Sequence, residues 1–229
     1  EEALPIYRAI GDKLGEANCI KRLGDVAGER KKYDEAITLF EEAILKYLSF
    51  GDSWSAANTF DSMGLMFNEQ EALGKAKDIF SKAIETFPNE PEWYLNRSMV
   101  FMKTGDLEKA SEDIQSAVEL QPEFPYIFIR KGELATLEDN YPEALEHFEA
   151  AKKFLPKSSD IYFGIGLTYL KTGNSDHALE AYNQGLLVTN AHKELDEPVK
   201  KLKNLKKESP DLSGVDKVLT LFNSWERLG

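Results

Sequence analysis

The apolar positions between Pro91 and Asn190 follow a helical period. In residues 91–124, aromatic and aliphatic side chains recur three and four residues apart, and Thr104-Gly105-Asp106 interrupts the pattern once. This spacing predicts one helix on each side of a short turn. The block is therefore predicted to be a hairpin of two antiparallel helices.

The same pattern recurs every thirty-four residues. Matching positions are Phe101, Ala110, Ile114, Ala117 and Pro122, then Ala135, Ala144, Phe148, Ala151 and Pro156, then Tyr169, Ala178, Tyr182, Gly185 and Asn190. A fixed period predicts a stack of repeats in which each hairpin packs on its neighbours. Small residues such as Gly132 and Ala144 are expected where two helices cross about 8–10 Å apart, because a longer side chain would separate the axes.

The N-terminal part of the chain has a longer period, of forty residues. Residues 1–24 overlay residues 41–64 without a gap. Residues 1–16 are therefore predicted to be the second helix of a repeat that begins upstream. The additional residues fall mostly around the turn Phe50-Gly51-Asp52-Ser53, where Asp52 or Ser53 can cap the helix that follows.

These residues resemble the tetratricopeptide repeat. The glycine-containing part of that repeat's pattern is present at Leu23-Gly24, at Gly64 with Phe67, and at Ile165-Gly166 with Tyr169. The forty-residue repeats are similar to those of kinesin light chains and of bacterial regulatory proteins. The resemblance implies an all-α fold, a right-handed superhelical array of antiparallel helix hairpins.

The chain is predicted to contain five complete repeats between a partial repeat and a terminal cap. The partial repeat covers residues 1–16, and the five repeats cover residues 17–52, 53–90, 91–124, 125–158 and 159–190. Residues 191–229 are predicted to form capping and terminal helices, because the last hairpin would otherwise expose an apolar side.

Two amphipathic helices are predicted after the last repeat. The first runs from His192 to Lys207, with leucines on one side and lysines on the others, and is expected to seal the last hairpin. The second amphipathic stretch runs from Ser213 to Leu228 and carries Phe222 and Trp225, and Ser209-Pro210 before it is a helix-start signal. The spacing leaves open whether this second helix packs beside the first, enters the concave groove or meets another chain.

The composition narrows the classes of partner and the compartment. The formal net charge of −12 opposes binding to nucleic acid or to anionic lipid, since both need clustered basic residues. No apolar run approaches the roughly 20 residues that cross a bilayer. Cys19 is the only cysteine in the sequence, which favours a reduced, cytoplasmic setting.

The sequence offers no catalytic or metal-binding motif. The histidines His147, His177 and His192 are scattered and have no cysteine partners or HExxH spacing. No glycine run has the spacing of a phosphate-binding loop. We therefore predict that the chain is not an enzyme and takes neither a metal nor a cofactor.

The resemblance to tetratricopeptide repeats implies where a partner lies. In such arrays the first helix of each repeat lines the concave side, so first-helix residues not needed for packing are candidates for binding. The predicted partner-binding residues are Leu95, Asn96, Met99, Met102, Lys103, Tyr126, Ile129, Arg130, Phe163 and Leu167. Asn96 is expected to hold a partner's backbone, and Arg130 to pair with a carboxylate.

The predicted function is a non-catalytic scaffold that binds a peptide or helix of a partner protein in the concave groove. Two alternatives remain. The array could be a sensor that controls an effector domain outside this sequence, or it could mediate self-association.

Arg97 stands where the repeat pattern has an apolar residue. Its long stem is expected to cover apolar surface while the charged head reaches water. The alternative is that it adds to a positively charged patch near Arg130 and Lys103.

Overall fold

The computed structural model describes residues 2–69, 73–189 and 195–226, and this part of the chain contains α-helices and no β-strand. The helices pack as two compact bodies. The N-terminal body is Glu1–Leu120 and the C-terminal body is Gln121–Gly229. The predicted all-α fold of helix hairpins is confirmed.

The N-terminal body contains one short helix followed by three hairpins. Its helices are α1 (Ala3–Ile10), α2 (Lys13–Glu29), α3 (Tyr33–Ser49), α4 (Ser53–Glu69), α5 (Leu73–Thr86), α6 (Pro91–Thr104) and α7 (Leu107–Leu120). The hairpins are α2–α3, α4–α5 and α6–α7. In the first hairpin, a Cβ added to Gly24 would lie 2.9 Å from the ring of Phe40, so a glycine permits this close crossing.

The turns of this body use the residues that the sequence pattern indicated. Gly105 ends α6 with a φ of 81°, in the left-handed region that favours glycine. The Asp52 side chain accepts a hydrogen bond from the Ser55 N–H at 3.0 Å, so the predicted cap before α4 is present.

The C-terminal body contains α8 (Pro125–Leu137), α9 (Tyr141–Phe154), α10 (Ser159–Lys171), α11 (Ser175–Val188), α12 (Asp196–Glu208) and α13 (Val215–Glu226). Helices α8–α9 and α10–α11 form hairpins. The ring of Phe148, on α9, fills the crossing between α8 and α10. A Cβ on Gly132 would lie 2.9 Å from this ring, and one on Gly164 would lie 2.5 Å from it.

The prediction that a helix starts at Ser209-Pro210 is wrong. The Leu212 N–H donates to the Ser209 carbonyl at 3.1 Å and closes a turn. Gly214 then has a φ of 94°, which is incompatible with a right-handed helix, so α13 begins at Val215. The predicted start of the preceding helix at His192 lies outside the described residues.

Ala144 tests the close helix crossing within the α8–α9 hairpin. Its side chain is 0% exposed, so we expect Ala144→Leu to lower the free energy of unfolding by roughly 1–3 kcal/mol through overpacking. Glu146→Leu, at an exposed position of the same helix, is the control. Urea unfolding followed by circular dichroism measures both variants, and equal midpoints would contradict the assigned packing.

Candidate functional site

Helices α8 and α10 lie side by side in the C-terminal body. The hydroxyls of Thr136 and Thr168 are buried and 3.0 Å apart, which joins the two helices by a hydrogen bond. The Lys171 ammonium adds a longer contact, 3.4 Å from the Thr136 carbonyl. These contacts fix two first helices next to each other, as the repeat pattern predicts.

A cluster of charged side chains links α8 to α12. Glu133 accepts a hydrogen bond from Arg130 Nη1 at 2.7 Å, and Lys201 Nζ lies 3.5 Å from Glu133 Oε1. Burial alone would raise the pKa of Glu133, but the charges of Arg130 and Lys201 and their hydrogen bonds hold it below its ordinary value. Glu133 is therefore a carboxylate held between two cations.

This cluster gives Arg130 a carboxylate partner on its own helix, and its predicted role in binding stays a prediction. The sequence predicts that Arg130 pairs with a partner's carboxylate, whereas in the structure Glu133 of the same helix supplies one. Arg130 Nε is buried and donates no hydrogen bond within the described part of the chain. Sequence analysis missed Lys201, because an ion pair across sixty-eight residues leaves no trace in a local pattern.

The apolar side of α10 is covered by the last two helices. One hydrophobic cluster contains Phe163, Leu167 and Leu170 of α10, Ala178, Tyr182 and Leu186 of α11, Leu195 before α12, Leu202 and Leu205 of α12, and Val215, Val218 and Phe222 of α13. Phe163, Leu167 and Leu170 are spaced four and three residues apart, so they share one side of α10. We call Arg130, Glu133, Phe163, Leu167 and Leu170 the α8–α10 face.

Both terminal helices contribute to the apolar cluster at the end of the last hairpin. The Phe222 ring of α13 lies 5.7 Å from the rings of Phe163 and Tyr182, measured between centroids, and α13 packs on α11. Leu202 and Leu205 of α12 belong to the same cluster, and α12 reaches α8 through Lys201. That the first terminal helix seals the last hairpin stays a prediction, and α13 adds an aromatic side chain to the same cluster.

The predicted partner-binding residues of the C-terminal body differ in exposure. Tyr126 is 49% exposed, whereas Ile129 is 2% and Phe163 is 6% exposed. Leu167 is half-buried and packs against the cluster of the terminal helices. Ile129 lies in the core cluster of its own hairpin, which accounts for its apolar side chain without a partner.

The other predicted residues lie on α6 in the N-terminal body. Leu95 is 2% and Met102 is 8% exposed, so both side chains contribute to packing. Asn96 and Met99 are half-buried and Lys103 is exposed. The ten predicted residues are therefore divided between the two bodies, and their roles in binding stay predictions.

Arg97 binds a buried carboxylate in the hairpin of α6 and α7. Its guanidinium donates to both oxygens of Asp113, from Nε at 2.9 Å and from Nη2 at 2.7 Å. A third donor, Nη1, reaches Ser81 Oγ at 3.1 Å. The hydrogen bonds to Asp113 raise the pKa of Arg97. The Arg97 side chain is 22% exposed and that of Asp113 is 6% exposed, so the charged head is only partly open to water and pairs with a buried carboxylate.

Two further features were searched for in the described residues. None of the helices there is both long enough and apolar enough to cross a membrane. Residues 2–69, 73–189 and 195–226 also contain no group of three or more histidine, cysteine, aspartate or glutamate side chains placed to hold a metal ion.

The family of residues 95–191 is shown by sequence. Residues 95–159 and 132–191 each match the model of the tetratricopeptide repeat. This part of the chain carries tetratricopeptide repeats. The family predicted from the glycine and alanine spacing is therefore confirmed, while the likeness to kinesin light chains stays a prediction. No curated protein sequence matches the chain.

Solved structures show the same fold at low sequence identity. The tetratricopeptide-repeat protein TTC0263 of Thermus thermophilus has a TM-score of 0.62 and 21% identity, over 82% of this chain and 98% of that one. A chain of the APC/C hetero-tetramer Cut9–Hcn1 has a TM-score of 0.62 and 21% identity, over 89% of this chain. Yeast Tom70 has a TM-score of 0.60 and 19% identity, over 86% of this chain.

This chain spans 42% of the length of the Cut9–Hcn1 complex chain and 42% of the length of Tom70. At these identities the likeness shows the fold, and the function has to be argued from the α8–α10 face.

Proposed function

We propose that this tetratricopeptide-repeat chain is a non-catalytic scaffold that binds a helical or extended segment of a partner protein on the α8–α10 face. The observation that carries the proposal is α12. This helix packs on the face with its leucines in the apolar cluster and with Lys201 beside Glu133. A surface that accepts one amphipathic helix has the shape and the polarity to accept another.

The composition of the face fits this function. Leu167 is half-buried and supplies apolar area, which contributes most of the free energy of association. Arg130 and Glu133 supply fixed polar groups, which orient a partner. Tyr126 is exposed on α8, and aromatic side chains of this kind are frequent anchors in interfaces.

Tyr126→Ala and Leu167→Ala test the proposed site. We expect each to weaken binding by about 1–2 kcal/mol, which is roughly 5- to 30-fold in Kd, because each removes contact area from the interface. The partner is first recovered with the full chain by affinity capture, and isothermal titration with the purified partner then gives Kd. Leu187→Ala is the control, because Leu187 is 71% exposed on the second helix α11.

The proposal fails if both variants bind like the parent while circular dichroism shows unchanged helicity. Asn96, Met99 and Lys103 of α6 are a separate candidate surface in the N-terminal body. Alanine variants at these positions, measured in the same titration, determine whether the partner also contacts α6.

The two alternative functions stay predictions. A sensor would change conformation when it binds a ligand. Self-association would make the molecular mass from light scattering rise with protein concentration, which distinguishes it from binding to another protein.

A further inference from the structure

We propose that α12 covers the α8–α10 face and can be displaced from it by a partner protein. The partner would supply a basic amphipathic helix with the same pattern of apolar and basic residues as α12. This inference rests on the proposed function and adds to it the chemistry of the partner and a means of regulation. It follows from four observations on the C-terminal body.

The first observation is that α13 already covers the end of the last hairpin. Helix α13 packs on α11, as α10 packs on α9, so α13 takes the position of a following first helix. Phe222 of α13 contacts the rings of Phe163 and Tyr182 from this position. The leucines of α12 join the same cluster, so α12 is a second helix at a surface that α13 also covers.

The second observation is that the ion pairs of Lys201 and Lys206 are weak. Lys201 is 44% exposed and lies 3.5 Å from Glu133. Lys206 pairs with Asp216 of α13, and both of these side chains are largely exposed. Ion pairs at such exposure add little stability. These two lysines therefore contribute little to holding α12 in place.

The third observation is the pattern of α12 itself. Pro198, Leu202 and Leu205 are buried on one side of the helix. Its other sides carry Lys200, Lys201, Lys203, Lys206 and Lys207. A helix that displaces α12 has to repeat this arrangement, with apolar residues three and four positions apart and a lysine or arginine placed to reach Glu133.

The fourth observation is the charge that surrounds the face. The chain has a formal net charge of −12, and Glu133 stays ionised between Arg130 and Lys201. An acidic protein attracts a basic helix during encounter and repels an acidic one. Both the local carboxylate and the total charge therefore favour a basic partner.

The experiment uses the full chain and a fluorescein-labelled peptide with the sequence of residues 195–208. In the parent chain, α12 competes with the peptide, and apparent affinity falls in proportion to the fraction of molecules whose face is open. We expect the Lys201→Glu change in the chain to weaken the packing of the chain's own α12, because it places a second carboxylate beside Glu133. The labelled peptide should then bind roughly tenfold more tightly than to the parent.

Lys203→Glu is the matched control, because it makes the same charge change at an exposed position of the same helix. It should leave the affinity for the peptide close to that of the parent. A second peptide, with the Lys201→Glu change, should bind more weakly to every chain because it brings a carboxylate to Glu133. Equal effects of the two chain variants would overturn the assignment of Lys201 to this contact.

Amide hydrogen exchange tests the displacement without any peptide. If α12 opens while the repeats stay folded, its amides exchange at least about tenfold faster than those of α10 and α11. Exchange of α12 and α11 at one common rate would overturn the proposal that α12 is displaceable. In that case a loss of partner binding in Tyr126→Ala or Leu167→Ala would still support the scaffold function, so the two proposals fail separately.

Discussion

Arg97→Ala is expected to lower the free energy of unfolding by roughly 3–5 kcal/mol, because it leaves the Asp113 carboxylate buried without its cation. The Asp113 side chain is 6% exposed and both of its oxygens accept hydrogen bonds from Arg97. Urea unfolding followed by circular dichroism measures the loss.

Two further variants separate the charge from the packing at this site. Ser81→Ala removes a single hydrogen bond to Arg97, and we expect a loss of about 0.5–1.5 kcal/mol. The double variant Arg97→Met with Asp113→Leu replaces the ion pair by apolar side chains and should recover most of the stability. If Arg97→Ala unfolds at the same urea concentration as the parent, the pair contributes nothing and Asp113 is solvated.

The sequence predicted the repeats because their determinants are local and recur. Phe148 requires a residue without a side chain on the facing helices, and Gly132 and Gly164 meet this requirement. The same steric requirement recurs thirty-four residues later, where the ring of Tyr182 packs against Gly166. Packing that depends on one small residue in each helix can therefore be predicted from the repeat spacing in the sequence alone.

The ion pair of Arg97 was missed, although the repeats contain a signal for it. Adding thirty-four residues twice takes Arg97 to Ile165 and takes Asp113 to Ala181. Ile165 and Ala181 lie together in an apolar cluster. The same two positions thus carry an apolar pair in one repeat and a charged pair in another, whereas the repeat between them has Lys131 and His147. The correspondence is therefore visible only when the first and third of these repeats are compared.

The position of α12 could not be predicted in this way. Its apolar pattern predicts a helix with one buried side, but α10 and α11 both offer apolar surface after the last repeat. The choice depends on competition with α13, whose Phe222 ring enters the space between Phe163 and Tyr182. Competition between two helices for two surfaces is decided by their relative packing energies, which spacing does not give.

Phe222→Ala tests this competition and should have the other large effect. The side chain is 1% exposed, and its removal is expected to lower the stability of the C-terminal repeats by roughly 3–5 kcal/mol. Part of the loss comes from the ring contacts with Phe163 and Tyr182, since aromatic pairs add about 0.5–1.5 kcal/mol beyond their buried area.

The effect of Phe222→Ala should be confined to the end of the chain. Each repeat depends mainly on its neighbours, so amide exchange should accelerate in α10 and α11 and stay unchanged in α2 and α3. Asn223→Ala, at an exposed position of α13, is the control and should change neither exchange nor solubility. Normal protection of α10 in Phe222→Ala would mean that α12 alone seals the hairpin, and α13 would then no longer be the cap.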